Sequence, residues 1–316
     1  MSLLDRYDAL LFDLDGTVYR GSAAIDGAAE AVEAARRGTV RFVTNNASRA
    51  PEAVAAHLTD IGIRARPDEV STSAQAAAKV LKDKTTGKVL VVGSPALERE
   101  VELVGLTPTR TADDVAAVVQ GLSMDTSWRD LAEATVAING GAIWVACNVD
   151  PTLPTERGML PGNGSFVAAL RTATGREPIV AGKPATPLMD EAVRAANASH
   201  ALAIGDRLDT DIAGAVAAGL DSLLVLSGVT TAAELLASEL RPTYLAKDVR
   251  AVTEDPDRLA IGDKPGWKID NGVVRGDGDP FDLLRALCAA PNAPTTAGDD
   301  AAAAALRDLG LPHGLA

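Results

Sequence analysis

Tyr7-Asp8-Ala9-Leu10-Leu11-Phe12-Asp13-Leu14-Asp15-Gly16-Thr17 sets a short apolar run against an abrupt acidic cluster. A run of this length bounded by glycine reads as a strand buried on both faces, as in a parallel sheet. Asp13 and Asp15 then fall at its carboxyl end, where open α/β sheets hold their ligands. The i, i+2 spacing puts both side chains on one strand face, yet they converge only if the chain leaves the strand there. Gly16 permits that turn. Two neighbouring carboxylates repel, so the pair calls for a cation or a shared proton. The plainer alternative is an Asx-type turn closing an ordinary strand.

The chain has 316 residues, room for two domains at about 100–200 residues each. Hydrophobic residues make up 47% and aromatics only 3%. Ala, Val, Leu and Ile must therefore build the core, which suits helices on a parallel sheet better than an aromatic-rich sandwich. The balance of 43 acidic against 30 basic residues, net charge −13, argues against a nucleic-acid partner. It leaves room for an anionic small substrate, because the field in a cleft can oppose the net charge. Cys147 and Cys288 are far apart and imply no disulfide framework. His57, His200 and His313 show no metal-ligand spacing and read as surface or satisfied positions. Met1-Ser2-Leu3-Leu4-Asp5-Arg6 has no signal-peptide pattern, and no apolar segment is long enough to span a membrane. The expectation is a soluble, cytoplasmic protein without a membrane partner.

Downstream of the opening strand, residues 27–37 carry Ala28, Ala31, Val32 and Ala35 at helical spacing and stop at Gly38, and residues 39–44 read as a second strand. Such a βαβ unit is right-handed almost without exception, which sets Thr44-Asn45-Asn46-Ala47-Ser48 beside the acidic pair. These neutral donors read as an anion cradle or, more plainly, as a helix cap. The stretch 82–87 is a polar hinge, after which residues 88–177 hold strands and helices of their own and form a candidate inserted domain. Within it, Gly158 to Gly164 reads as a Gly- and Pro-rich loop. Residues 178–182 lead to Lys183-Pro184 and a helix over 186–197. Ala201-Leu202-Ala203-Ile204-Gly205 is another buried strand that ends in carboxylates, Asp206, Asp209 and Asp211. Closing strands are expected near 222–226 and 243–245.

Three strand ends thus carry Asp13 with Asp15, Thr44 with Asn45, and Asp206 with Asp211, and Lys183 precedes the helix leading to the third. Hard oxygen ligands without His or Cys select Mg²⁺ over zinc. A cation held by carboxylates, with lysine and neutral donors around it, suits a phosphate dianion. A carboxylate can attack phosphorus, and a second carboxylic acid can protonate the leaving oxygen.

This set resembles the haloacid dehalogenase superfamily, over residues 8 to about 246. The matches are the hydrophobic strand with Asp13-Leu14-Asp15-Gly16-Thr17, Thr44, Lys183-Pro184, and Gly205-Asp206 with Asp211. Thr44-Asn45-Asn46-Ala47-Ser48-Arg49, Gly205 to Ile212, and Cys147-Asn148-Val149-Asp150 followed by Gly158-Met159-Leu160-Pro161-Gly162-Asn163-Gly164 are similar to one subgroup. That subgroup holds NagD-like, p-nitrophenyl, phosphoglycolate and glycerol-phosphate phosphatases. The resemblance implies an α/β protein with a Rossmann-like parallel-sheet core at 1–81 and 178–246, an α/β cap at 82–177, and a small extension at 247–316 about which it is silent. It implies a Mg²⁺-dependent phosphatase of small phosphorylated metabolites. Asp13 would be nucleophile and metal ligand. Asp15 would be general acid and base, with its main-chain carbonyl on the metal. Thr44, Asn45 and Lys183 would hold the phosphoryl group, Lys183 also offsetting charge on Asp13. Asp206 would bind the metal, and Asp211 would orient a metal-bound water or Lys183.

Asp209 reads either as an extra metal-loop residue or as a helix N-cap. Asn148 and Asp150 either line the substrate side of the cap or simply turn its loop. Glycerol 3-phosphate and phosphoglycolate are the first expected substrates, ahead of nucleotides, sugar phosphates and pyridoxal phosphate. A ring would gain from aromatic stacking, and the inserted block offers only Trp128, Trp144 and Phe166. A phosphomutase, or a non-catalytic sensor of phosphorylated metabolites, is the rival reading. In the extension, residues 267–274 read as a strand with a turn at Asp270-Asn271-Gly272, 280–289 and 301–309 as helices and 291–298 as a linker, and the Gly- and Pro-rich joints suggest an appended module with a role in packing, homodimer contact or regulation. Truncation at about Asp248 is then expected to leave a metal-dependent phosphatase that is less stable or altered in assembly, because Trp267, Leu283 and Leu284 would lose their partners.

Overall fold

The computed structural model describes residues 1–155, 157–290 and 295–311; His313 and the first part of the linker expected at 291–298 lie outside them. The chain divides into two compact units, Met1–Val40 with Ala198–Ala316, and Arg41–Asn197.

In the first unit, four strands pair in parallel in the order Tyr244–Ala246, Asp221–Val225, Ala201–Gly205 and Ala9–Phe12. Ala9–Phe12 and Ala201–Gly205 are buried at every position, as their unbroken apolar runs require of strands covered on both faces. Their register sets Phe12 beside Ile204. The residues leaving these two strands, Asp13 and Asp206, therefore emerge side by side. Tyr7 closes the lower end, its hydroxyl donating to Asp221 Oδ2 at 2.6 Å and lying 2.9 Å from that of Tyr244.

The C-terminal segment belongs to this unit. Trp267–Asp270 and Val273–Gly276 form an antiparallel hairpin about the expected Asn271-Gly272 turn, where both residues have positive φ, 48° and 78°, as a two-residue hairpin turn of this hand demands. Thr296–Ala297 adds a third strand. Helices Pro280–Ala289 and Asp300–Asp308 start at Asp279 and Asp299, whose carboxylates cap the first turn. Trp267, Val274, Leu283, Leu284, Leu287, Ala305 and Leu306 share one buried cluster with Ile212, Leu224, Leu235 and Leu245. The extension thus has no separate core.

In the second unit, Thr39–Thr44 runs on from the boundary and pairs in parallel with Val70–Thr72. A five-stranded parallel sheet has the order Ile179–Val180, Ile143–Ala146, Val115–Gln120, Lys88–Val92 and Thr107–Thr109. Helices Trp128–Asn139 and Asn163–Thr174 cover it through Ala134, Ile138, Val167 and Leu170, which cluster with Leu90, Val118 and Trp144. Trp144 is core, as its place in an apolar strand suggests. The expected loop from Gly158 to Gly164 is instead one arm of a hairpin, Thr152–Thr155 against Gly158–Pro161, running straight into a helix at Asn163.

The shared core sets an outcome for the extension that differs from the sequence expectation. Leu284→Ala should cost about 2–5 kcal/mol in urea unfolding. A chain ending after Ala246 should aggregate or lose its cooperative transition, because Leu224, Leu235 and Leu245 would be uncovered. A truncated chain that unfolds cooperatively as a monomer would show instead that these leucines do not need the extension.

Candidate active site

In the first unit, Asp13, Asp206 and Asp211 bring carboxylate oxygens within 4.8 Å of one another. Sheet register supplies the first two. Asp211 arrives because Leu208–Ile212 winds as a wide π-helical turn, a form concentrated at functional positions. Its Oδ2 accepts the main-chain N–H groups of Asp206 and Arg207 at 3.2 and 3.1 Å. Asp206 is wholly buried, and the N–H of Val229 donates to its Oδ2 at 2.6 Å. Gly16, at φ 87°, turns the chain directly against Asp206: a Cβ there, or on Gly228, would overlap the Asp206 carboxylate. Ser227 Oγ donates to the Gly16 carbonyl at 2.8 Å and fastens the two loops together.

Asp15 stands at the same turn. Its side chain reaches solvent, yet the surrounding protein desolvates it enough to raise its carboxyl above the usual range, against the opposing pull of Arg20. Asp209 faces away from this chemistry. It is exposed and spends both oxygens on the Arg207 guanidinium at 3.0 and 2.7 Å, which holds its carboxyl low. The residues that sequence reasoning missed are Ser227, Gly228 and Val229. They work through main-chain atoms and the absence of a Cβ, and only the Gly in that trio could have drawn notice.

In the second unit, Lys183 is 2% exposed and its Nζ donates to the Val43 carbonyl at 3.2 Å. Asn45 clamps the Lys183 main chain, accepting its N–H at Oδ1 (2.8 Å) and donating Nδ2 to its carbonyl (3.0 Å). The same Nδ2 donates to Asp150 Oδ2 at 3.2 Å. Asn148 both turns its loop, accepting the Asp150 N–H at 3.2 Å, and donates to the Asn45 carbonyl at 2.7 Å. Loop turning is thus one role of Asn148. Thr44 Oγ1 accepts the N–H of Asn46, and Asn46 Oδ1 accepts the N–H groups of Ser48 and Arg49, so part of the expected cradle turns the loop ahead of helix Pro51–Asp60 without capping it. Cys147 and Cys288 are free and buried, with burial pushing both thiols up, Cys288 to about 11.

The donor set of the aspartate cluster is oxygen alone, and three carboxylates at this spacing fit a hard divalent ion such as Mg²⁺. Residues 10–107 match the model of the haloacid dehalogenase-like hydrolases, and residues 180–252 match a second HAD-hydrolase-like model. The chain is 53% identical, over 89% of its own length and 82% of its relative's, to a D-glycerol 3-phosphate phosphatase of Mycobacterium tuberculosis. It belongs to the haloacid dehalogenase-like hydrolases. An acid sugar phosphatase of Staphylococcus haemolyticus is 36% identical over 81% of this chain and 99% of that one. The crystal structure of the M. tuberculosis glycerol phosphate phosphatase in complex with magnesium superposes with a TM-score of 0.94 at 50% identity, covering 98% of this chain and 99% of that one. Residues 264–311 match a GCN5-related N-acetyltransferase-like domain model, so the extension has a family counterpart that the sequence motifs did not reveal.

The crowding around Asp206 yields a test. Gly228→Ala should displace its carboxylate and weaken Mg²⁺ binding about 10–100-fold in a calorimetric titration, as expected when the support of a ligand is lost. Unchanged affinity in a folded variant would remove Gly228 from the site.

Proposed function

We propose that this hydrolase cleaves glycerol 3-phosphate to glycerol and inorganic phosphate through an aspartyl-phosphate intermediate, with Mg²⁺ as cofactor. The observation that carries the reaction class is the Asp13, Asp206 and Asp211 cluster at parallel strand ends. The substrate is favoured by the 53% identity to a D-glycerol 3-phosphate phosphatase.

In this reading an oxygen of Asp13 attacks phosphorus while the ester P–O bond breaks. Asp15 gives its proton to the leaving glycerol oxygen, a task suited to a carboxyl raised by burial. Water then attacks the same phosphorus, yielding its proton to Asp15 as the bond between phosphorus and Asp13 breaks. Inorganic phosphate leaves and both aspartates are restored. Thr44, Asn45 and Lys183 serve the phosphoryl oxygens, Asn45 chiefly by fixing Lys183. Asp13, Asp206, Asp211 and the Asp15 carbonyl would hold Mg²⁺, which supplies charge neutralisation as the phosphoryl group transfers. The block 82–177 acts as the cap that recognises the alcohol portion. The free, buried cysteines suit a reducing cytoplasm.

Phosphate release from glycerol 3-phosphate should require Mg²⁺, stop in excess chelator, and fall when Ca²⁺, with its longer and more numerous bonds, takes its place. Asp13→Asn should abolish turnover with the fold intact, since an amide cannot attack phosphorus. Asp15→Asn should lose about 10²–10⁴-fold. Substantial hydrolysis by a folded Asp13→Asn protein would refute the covalent route. A kcat/KM panel set against sugar phosphates tests the substrate, because of the acid sugar phosphatase relative.

A further inference from the structure

The second unit holds a buried hydroxyl that neither its own helix nor the phosphoryl chemistry uses directly. Strands Thr39–Thr44 and Val70–Thr72 pair in parallel with Thr44 opposite Thr72. One residue further along, past the end of both strands, Asn45 and Ser73 therefore lie side by side. Ser73 is fully buried, and its Oγ donates to the Asn45 carbonyl at 2.6 Å. This side-chain bond carries the pairing one step beyond the ladder.

Helix Ser73–Lys84 does not need that hydroxyl. Its cap is Thr72, whose Oγ1 accepts the Gln75 N–H at 3.2 Å while the Gln75 side chain accepts the Thr72 N–H at 2.9 Å. Alanine has the higher helix propensity and would bury no polar group at position 73. A serine turned away from its helix and onto the Asn45 carbonyl points to a task at Asn45.

That task shows in the other bonds of Asn45. Its side chain accepts the Lys183 N–H at 2.8 Å and donates to the Lys183 carbonyl at 3.0 Å. Gly182 permits the approach, because a Cβ there would overlap Asn45 Oδ1 and the Cys147 carbonyl. An amide that grips both main-chain groups of one residue holds them only as steadily as its own main chain is held. The Asn45 carbonyl is the point of attachment, receiving Ser73 and, at 2.7 Å, Asn148. Both of its lone pairs are then engaged.

We infer that Ser73 is a positioning residue for the reaction: it fixes Asn45 and, through Asn45, the main chain of Lys183. The inference rests on the phosphatase reading above and adds a residue that lies outside the motifs behind that reading. Ser73 acts through another side chain and does not itself meet substrate.

Ser73→Ala leaves the Asn45 carbonyl its bond from Asn148, so the fold should survive, with Tm lower by about 2–4 °C for one net hydrogen bond. The kcat/KM for glycerol 3-phosphate should still fall about tenfold or more, since small misplacements remote from the chemistry are costly. The Lys183 amide should exchange its hydrogen faster, a change local to the link itself. In an Asn45→Ala background, where that link is already cut, Ser73→Ala should cost less than about a further twofold, whereas independent structural effects would multiply. A folded Ser73→Ala protein with unchanged kcat/KM, unchanged Lys183 exchange, or losses that multiply with those of Asn45→Ala overturns the inference. Should Ser73→Ala not fold, Ser73→Cys, whose thiol is a weak donor, decides by the same readouts. If the unmodified protein releases no phosphate from glycerol 3-phosphate or p-nitrophenyl phosphate, the phosphatase reading falls, and the role of Ser73 in the reaction with it, whatever its hold on Lys183.

Discussion

Three carboxylates held within 4.8 Å of one another are the constraint that the first unit must satisfy. At an effective dielectric near 20, each ionised pair at such a distance repels by on the order of 3 kcal/mol. No side chain would settle there unless the main chain forced it. Strand register does so for Asp13 and Asp206, and a π-helical turn does so for Asp211. Main-chain N–H groups of Val229, Asp206 and Arg207 stabilise the charges from outside the cluster. Repulsion left over after that bonding favours a divalent cation. The glycines at 16 and 228 answer the same crowding, since the loops must approach a buried carboxylate with no atom to spare.

The second unit solves the opposite problem, a nearly buried cation. The Val43 carbonyl meets the Lys183 ammonium, and the Asn45 amide holds the Lys183 main chain. Burying charge is tolerable where dipoles replace water. Asn45 thereby acts as a junction: it fixes Lys183 and Asp150 through one amide, so neither can shift without the other.

Much of this was legible in the sequence because it derives from period and spacing. Buried strands announced themselves as unbroken apolar runs ending in Asp13 and Asp206. The hairpin at Asn271-Gly272 announced itself through a turn that needs positive φ twice. What could not be read were partners. Nothing in the string 148–150 says that Asn148 reaches Asn45, because an asparagine that turns a loop and one that crosses to another segment look alike. Val229 was invisible for a related reason: it acts by its main-chain N–H. The hairpin at Thr152–Thr155 was hidden by Pro154 and Pro161, residues that depress strand propensity yet are tolerated where a strand edge has no ladder bond to lose.

In the extension, punctuation by Pro and Gly marks a joint without saying how much core lies beyond it. Tyr244–Ala246 ends the parallel order of the first unit, and an uncovered edge strand invites pairing with other chains. The chain beyond it supplies the cover. Ala260 bridges to Tyr244, and the guanidinium of Arg285, itself buried, donates to the Leu245 carbonyl at 2.9 and 2.8 Å. Arg241 reaches back to the Cys288 carbonyl at 3.0 Å. Leu283, Leu284 and Trp267 then close over Leu245 and Leu224. The extension is therefore bound by the same logic as the strands: a parallel sheet is stable only when both faces and its last edge are covered. Residues 264–311, whatever their family origin, do for that edge what a further strand or helix would do elsewhere.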